Sequence, residues 1–230
     1  MRAPSRRIPL FPLPLVLFPG APLPLHIFEP RYRQLLTDCM SGDQRFGIVF
    51  RPEGVPEREL PPGHVGCVAR VESAETLPDG RSNVLVVGER RFEIERMLTG
   101  AAPYHEAMVR DFDDADDATA EDLAPLGARV RDLFARVGRA ARTLADEREA
   151  LPELPDEAAA LSFAVAALID LDAARRQRLL ASRSPAGRLR DLEAILGGAL
   201  GTLELRAAVH TRAKGNGHGP HDDDDDDDET

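Results

Sequence analysis

The 230-residue chain has two cysteines, one lysine and few aromatic side chains, 5% of the total. Cys39 and Cys67 lie far apart and lack metal-ligand spacing. This excludes a disulfide scaffold and a cysteine-based zinc module, and predicts two reduced, buried thiols of the kind found in cytosolic proteins. Because Lys214 is the only lysine, no GxxxxGK[ST] phosphate loop and no Ser–Lys catalytic pair can exist in the folded region. The formal net charge is −11, but Asp222–Asp228 and Glu229 supply eight of the negative charges, and without them −3 remains. A mildly acidic body with few aromatics argues against general nucleic-acid binding.

Long uninterrupted apolar runs are also missing where one is first suspected. Arg6 and Arg7 precede "IPLFPLPLVLFPGAPLPLHIFEP", the position of an export signal or anchor. Prolines at 9, 12, 14, 19, 22, 24 and 30 break it, and Leu15–Phe18 is its longest proline-free apolar run. A signal peptide needs roughly 7–15 apolar residues and a membrane helix about 20, and each interior proline costs a helix about 3 kcal/mol. The segment reads instead as extended chain. Pro12 and Pro14, like Pro22 and Pro24, are two apart, so each pair removes N–H donors from one edge. That pattern belongs to edge strands or to strands leaving a sheet. Phe18-Pro19-Gly20-Ala21 fits a type II turn.

Pro30 then opens a short helix whose apolar face is Tyr32, Leu35, Leu36, Cys39 and Met40, with Gly42 as its end cap. From residue 45 to about 112 the period falls to two. "RFGIVF" and Val65, Cys67, Ala69 and Val71 read as strands, and "LPDGRSN" as a turn. Val84, Val86, Phe92 and Ile94 share one parity, with a bulge or bend at Gly88, while Arg91, Glu93 and Glu95 face the other way. "PYHEAMVRDF" closes the series. Several short strands, one short helix and proline-marked edges predict a small, partly closed barrel. Helical spacing begins after the acidic break "DDADDATAED": Leu123, Leu126, Val130, Leu133, Val137 and Leu144, with Thr119 and Asp122 as a capping box. A proline connector, "ALPELP", leads to the strongly apolar "DEAAALSFAVAALIDL", then to "DAARRQRLLAS". The last helix starts at Ser184-Pro185 and carries Leu189, Leu192, Leu196, Leu200 and Leu203. Low-complexity sequence predicts an unstructured acidic tail at 207–230.

The blocks "IPLFPLPLVLFPGAPLPLHIFEPRYRQLL", "GHVGCVARVESAETLPDGRSNVLVVGERRFEI" and "RRQRLLASRSPAGRLRDLEAIL" together resemble the N-terminal substrate-binding domain of Lon-type ATP-dependent proteases, in a stand-alone form. The resemblance is collinear over roughly residues 6 to 205. It implies an α+β chain with a PUA-like β-barrel at 6–114, a helical bundle at 118–206 and the acidic tail beyond. It also implies a non-catalytic module that binds unfolded or peptide segments of client proteins, with a Lon-type protease as a further partner and a cytoplasmic location. The expected mechanism is apolar contact in a groove between barrel and bundle, since prolines block open strand edges.

No residue pattern supplies catalysis, a cofactor or a structural metal. His26, His64 and His105 sit among strand and loop residues without a nucleophile motif, and read as ordinary hydrogen-bonded histidines. His218 and His221 flank Gly-Pro beside seven aspartates, which reads as a solvated tail before it reads as a weak cation site. The arginines of "EPRYRQ" and "GERRFEIER" read as solvated or internally paired charges rather than a binding patch. The competing reading is RNA binding, which rests on fold analogy alone. Neither reading identifies a peptide-binding residue.

Overall fold

The computed structural model describes residues 4–100 and 102–215. Six strands and five helices alternate with turns: β1 (Arg6–Leu13), β2 (Pro22–Ile27), α1 (Pro30–Met40), β3 (Arg45–Phe50), β4 (Val65–Thr76), β5 (Ser82–Leu98), β6 (His105–Asp111), α2 (Ala120–Ala145), α3 (Ala158–Leu168), α4 (Ala173–Ala181) and α5 (Pro185–Gly215). The strands form one mixed sheet, ordered β2-β5-β4-β3-β1-β6. Among the described residues only β1 and β3 pair in parallel, and an added β5–β6 ladder closes the sheet on itself.

The prolines do two different jobs. Pro22 and Pro24 lie on β2, whose ladder is made to β5 on one side, so the prolines blunt the sheet's outer edge. β1 is interior in the strand order, yet Arg6–Leu10 pair with β6 and Leu10–Leu13 with β3. Pro12 and Pro14 therefore mark where the strand leaves the sheet, not an edge. Between β1 and β2 the chain turns as its residues require. Gly20 takes φ +77°, and the Ala21 N–H donates to the Phe18 carbonyl at 3.1 Å. Gly20 and Ala21 are then tied to Gly88 by two backbone bonds of 2.8 and 3.0 Å. A Cβ at Gly88 would come within 2.2 Å of the Phe18 carbonyl oxygen, so the turn can dock only against glycine.

The bulge expected at Gly88 is present, and it reverses the face of the residues beyond it. Cys67 pairs with Arg91 and Ala69 with Gly88, so three steps on β5 match two on β4. The extra residue flips the parity. Val84 and Val86 pack beneath α1 with Cys67, Ala69 and Val71, whereas Phe92 and Ile94 join a separate cluster with Ile8, Leu10, Val49 and Val109. Arg91, expected on the outward face, instead continues the face of Val86 and is buried. Met40 also departs from expectation, being 42% exposed. It lies roughly 80° around α1 from Tyr32, at the rim of the apolar face. The helix ends there, with Ser41 as its cap and the Gly42 N–H on the Cys39 carbonyl.

The helices α2 to α5 surround one apolar cluster that includes Leu126, Val130, Leu161, Val165, Leu180, Leu189 and Leu196. Thr119 and Asp122 form the expected capping box on α2, and the Ser184 hydroxyl accepts from the Gly187 N–H at the start of α5. Arg129–Glu193 and Arg136–Glu204 ion pairs bind α2 to α5, and the shared order of the two pairs makes these helices parallel. The unstructured tail expected from residue 207 is not what residues 207–215 form. α5 continues to Gly215, and Ala207 is buried. The "AAVHTRAK" segment there is rich in good helix formers and keeps the spacing from Leu200 and Leu203. Residues 216–230, with His218, His221 and the aspartates, lie outside the described residues. Among the described residues no helix is long and apolar enough to cross a membrane.

Candidate functional site: a groove where sheet meets helices

Val16, Phe18 and Val65 from the sheet half insert into the helical cluster, and the Phe18 ring stacks on Phe163 of α3 at 6.0 Å. Beneath this contact lies a polar knot. The Asp114 carboxylate accepts from Arg188 of α5 through both oxygens, at 2.5 and 2.8 Å, and from Arg91 of β5 at 2.5 Å. Arg188 also donates to the Ser162 hydroxyl at 2.8 Å, and Arg91 to the Leu180 and Ser182 carbonyls at 2.8 and 2.6 Å. Both guanidiniums lie over the Phe163 ring, at 4.1 and 5.1 Å. Burial pulls the Arg91 guanidinium below its usual pKa, and Arg188 adds to this, while Asp114 and Asp113 act against it. A bidentate carboxylate in partial desolvation makes this a strong joint between the two halves. The Gln177 side-chain bond to the Val65 carbonyl, 2.9 Å, adds a second stitch.

Above the knot runs a groove of about 630 Å³. One wall is the Pro19–Pro22 turn, the other the connector at Pro152, Glu153 and Pro155. The floor is α3, through Ala160, Phe163, Ala164, Ala167 and Leu168, the last 50% exposed. Its local cause is that Ala160, Ala164 and Ala167, at helical spacing on α3, leave no side chain long enough to fill the space between the turn and the connector. Its lining holds no serine, threonine, cysteine, histidine or lysine, and its ionisable side chains are the carboxylates of Asp114, Glu153 and Glu157. A hollow of about 660 Å³ between α1 and the β4–β5 hairpin has a more polar wall, with Arg33, Gln34, Thr37 and Thr76.

The residues singled out in the sequence are scattered. His26 on β2 pairs with the Asn83 side chain at 2.8 Å. His64 meets the Phe50 carbonyl at 2.8 Å, and burial holds its imidazole below the usual value. His105 contacts Glu57 at 2.8 Å beside Arg31. Cys39 and Cys67 are free and buried, and burial pushes both thiols up to about 12. The arginines do not form one patch. Arg31 pairs with Glu29 and Glu57 and stacks on Tyr32, Arg91 is interior, and Arg90 is half exposed beside Asp111. Among the described residues no group of three or more His, Cys, Asp or Glu could hold a metal ion. The joint of Asp114, Arg91 and Arg188 was not foreseen. Asp114 sits in an acidic run that reads as solvated loop, and Arg188 in the polar spacing of α5.

Comparison with known proteins agrees with this architecture. The family described as ATP-dependent protease La (LON) substrate-binding domain matches residues 7–197. The chain is 28% identical over 215 residues to Lon protease 2 of Herpetosiphon aurantiacus, covering 92% of this chain and 26% of that protein. It is 25% identical over 213 residues to the Lon protease of Rhizobium meliloti, again covering 26% of it. The chain thus spans about a quarter of the length of these curated relatives. A solved Lon N-terminal domain protein from Xanthomonas campestris superimposes with a TM-score of 0.59 at 28% identity, over 82% of this chain and 98% of that one. The N-terminal domain of a Mycobacterium avium complex Lon protease shares the fold, with a TM-score of 0.62 at 21% identity, over 84% and 98%. The chain belongs to the Lon substrate-binding domain family.

Proposed function

We propose that the protein is a non-catalytic recognition module that binds unfolded or peptide segments of client proteins and acts as an adaptor in protein quality control, with a Lon-type protease among its partners. In this reading residues 6–114 form a PUA-like barrel, residues 118–206 a helical bundle, and the acidic segment at the C-terminus a separate appendage. The protein works in the cytoplasm and needs no cofactor. The observation that carries the proposal is the groove at the seam. It is largely apolar, open to solvent, floored by alanines and an exposed leucine, and lacks serine, cysteine, histidine and lysine. Apolar grooves of this kind bind extended segments by burying alternate side chains, or helical ones by burying side chains three and four apart. Among the described residues no surface feature favours the RNA-binding alternative.

The test is fluorescence anisotropy of labelled, permanently unfolded apolar peptides against the full chain. Binding in the micromolar range that is lost in Ala164→Trp, which fills the groove from its floor, supports the proposal. The variant must retain native circular dichroism. A varied peptide set that shows no binding at high micromolar concentration refutes it.

A further inference from the structure

We infer that the groove selects apolar segments flanked by basic side chains, an inference that rests on the peptide-binding reading above. The groove is short of hydrogen-bond donors and rich in acceptors. Pro19, Pro22, Pro152 and Pro155 have no N–H to offer. The two remaining donors of the turn are spent: the Gly20 N–H bonds the Gly88 carbonyl, and the Ala21 N–H bonds that of Phe18. A client strand therefore cannot add itself to this wall by backbone pairing, and recognition falls to side chains. The charged residues that line the groove are all acids: Asp114, Glu153 and Glu157. Asp114 is committed to its two arginines, and Glu157 accepts from the Ala159 and Ala160 N–H groups at the head of α3. Glu153 is exposed on the connector and makes no hydrogen bond or ion pair with any described residue. The cations beneath do not counter this. The Arg188 side chain is 0% exposed and that of Arg91 4%, and both spend their donors on Asp114 and internal oxygens. An apolar body with a lysine or arginine tip satisfies both the floor and the rim, whereas a carboxylate meets like charge.

The experiment uses the full chain and three labelled peptides that share one apolar stretch, flanked by Lys-Arg, by Gln or by Glu, at low salt. The basic-flanked peptide should bind about fivefold tighter than the neutral one, as expected for an exposed ion pair, and the acidic one weaker. Glu153→Lys should reverse that order. Because the aspartates at 222–228 could attract basic peptides themselves, the full chain with all seven replaced by asparagine should keep the ranking. Equal affinity for the three peptides overturns this inference but leaves the peptide-binding reading standing. A basic preference that disappears in the asparagine variant and survives in Glu153→Lys assigns it to the C-terminal acids and overturns the inference too. Failure of even the neutral peptide to bind overturns the underlying reading and the inference with it.

Discussion

Asp114 answers two guanidiniums with one carboxylate, and most of that arrangement is out of water. Arg188 and Arg91 cannot shed their charge, so each needs its anion and its carbonyls. Removing the anion leaves two buried cations close together, without the carboxylate that both donate to. Asp114→Ala is expected to lower the unfolding free energy by about 3 kcal/mol, the low end for breaking a buried pair, because the Asp114 side chain keeps 26% of its surface exposed. Urea denaturation checks this, through a lower midpoint of the transition followed by far-UV circular dichroism. A loss below about 1 kcal/mol would mean the joint is no stronger than a surface pair. Arg91 also shows where sequence reading stops. Its neighbours alternate apolar and charged, which places it outside, and although a bulge at Gly88 is legible, only the pairing of Cys67 with Arg91 and Ala69 with Gly88 shows that it turns Arg91 inward.

At the scale of elements, the sequence was most legible where local chemistry fixes the backbone. The Pro19-Gly20 turn, the capping box at Thr119 and the proline start of α5 formed as their residues require. What escaped were relations between distant elements. β1 being interior, and the sheet closing through β5 and β6, depend on which strands meet, and strand spacing does not state that. The groove was anticipated as a seam between the halves, but its lining was not, since alanines read equally well as buried filler. One inter-element contact carries a pH signature. Glu57, in the short turn at Glu57–Glu59, reaches Arg31 of α1 at 2.5 Å and His105 of β6 at 2.8 Å. Burial alone would raise its carboxyl, but hydrogen bonds from Arg31 and His105 and their charge outweigh this and hold it below its ordinary 4.5. A carboxyl lowered by folding adds stability above its unfolded pKa, and that stability is lost as pH falls through the folded value. Midpoints of urea unfolding should therefore decline below about pH 4.5, and Glu57→Gln should flatten that part of the decline. An unchanged acid limb in the variant would remove Glu57 from the account.

At the scale of the whole molecule, the question is whether sheet and helices fold as one. Their surfaces interpenetrate: Val16, Phe18 and Val65 belong to the helical cluster, and the joint of Asp114 ties β5 to α5. Neither half can open without exposing Phe18 and Phe163 and stranding the guanidiniums, so unfolding should be a single cooperative transition. The chain carries its own two probes. It has no tryptophan, and its two tyrosines, Tyr32 and Tyr104, both lie in the sheet half, so tyrosine fluorescence reports that half alone. Far-UV circular dichroism is dominated by α2 to α5. In the natural chain the two signals should change together, with one midpoint. In Asp114→Ala, where the shared joint is gone but each cluster keeps most of its own contacts, the curves should separate, with the helical signal lost first. The helices have one apolar cluster, whereas the sheet keeps two clusters and a closed ladder of its own. Separate transitions in the natural chain would contradict the shared core. Coincident curves in the variant would mean that the aromatic contacts across the seam couple the halves without the ion pair.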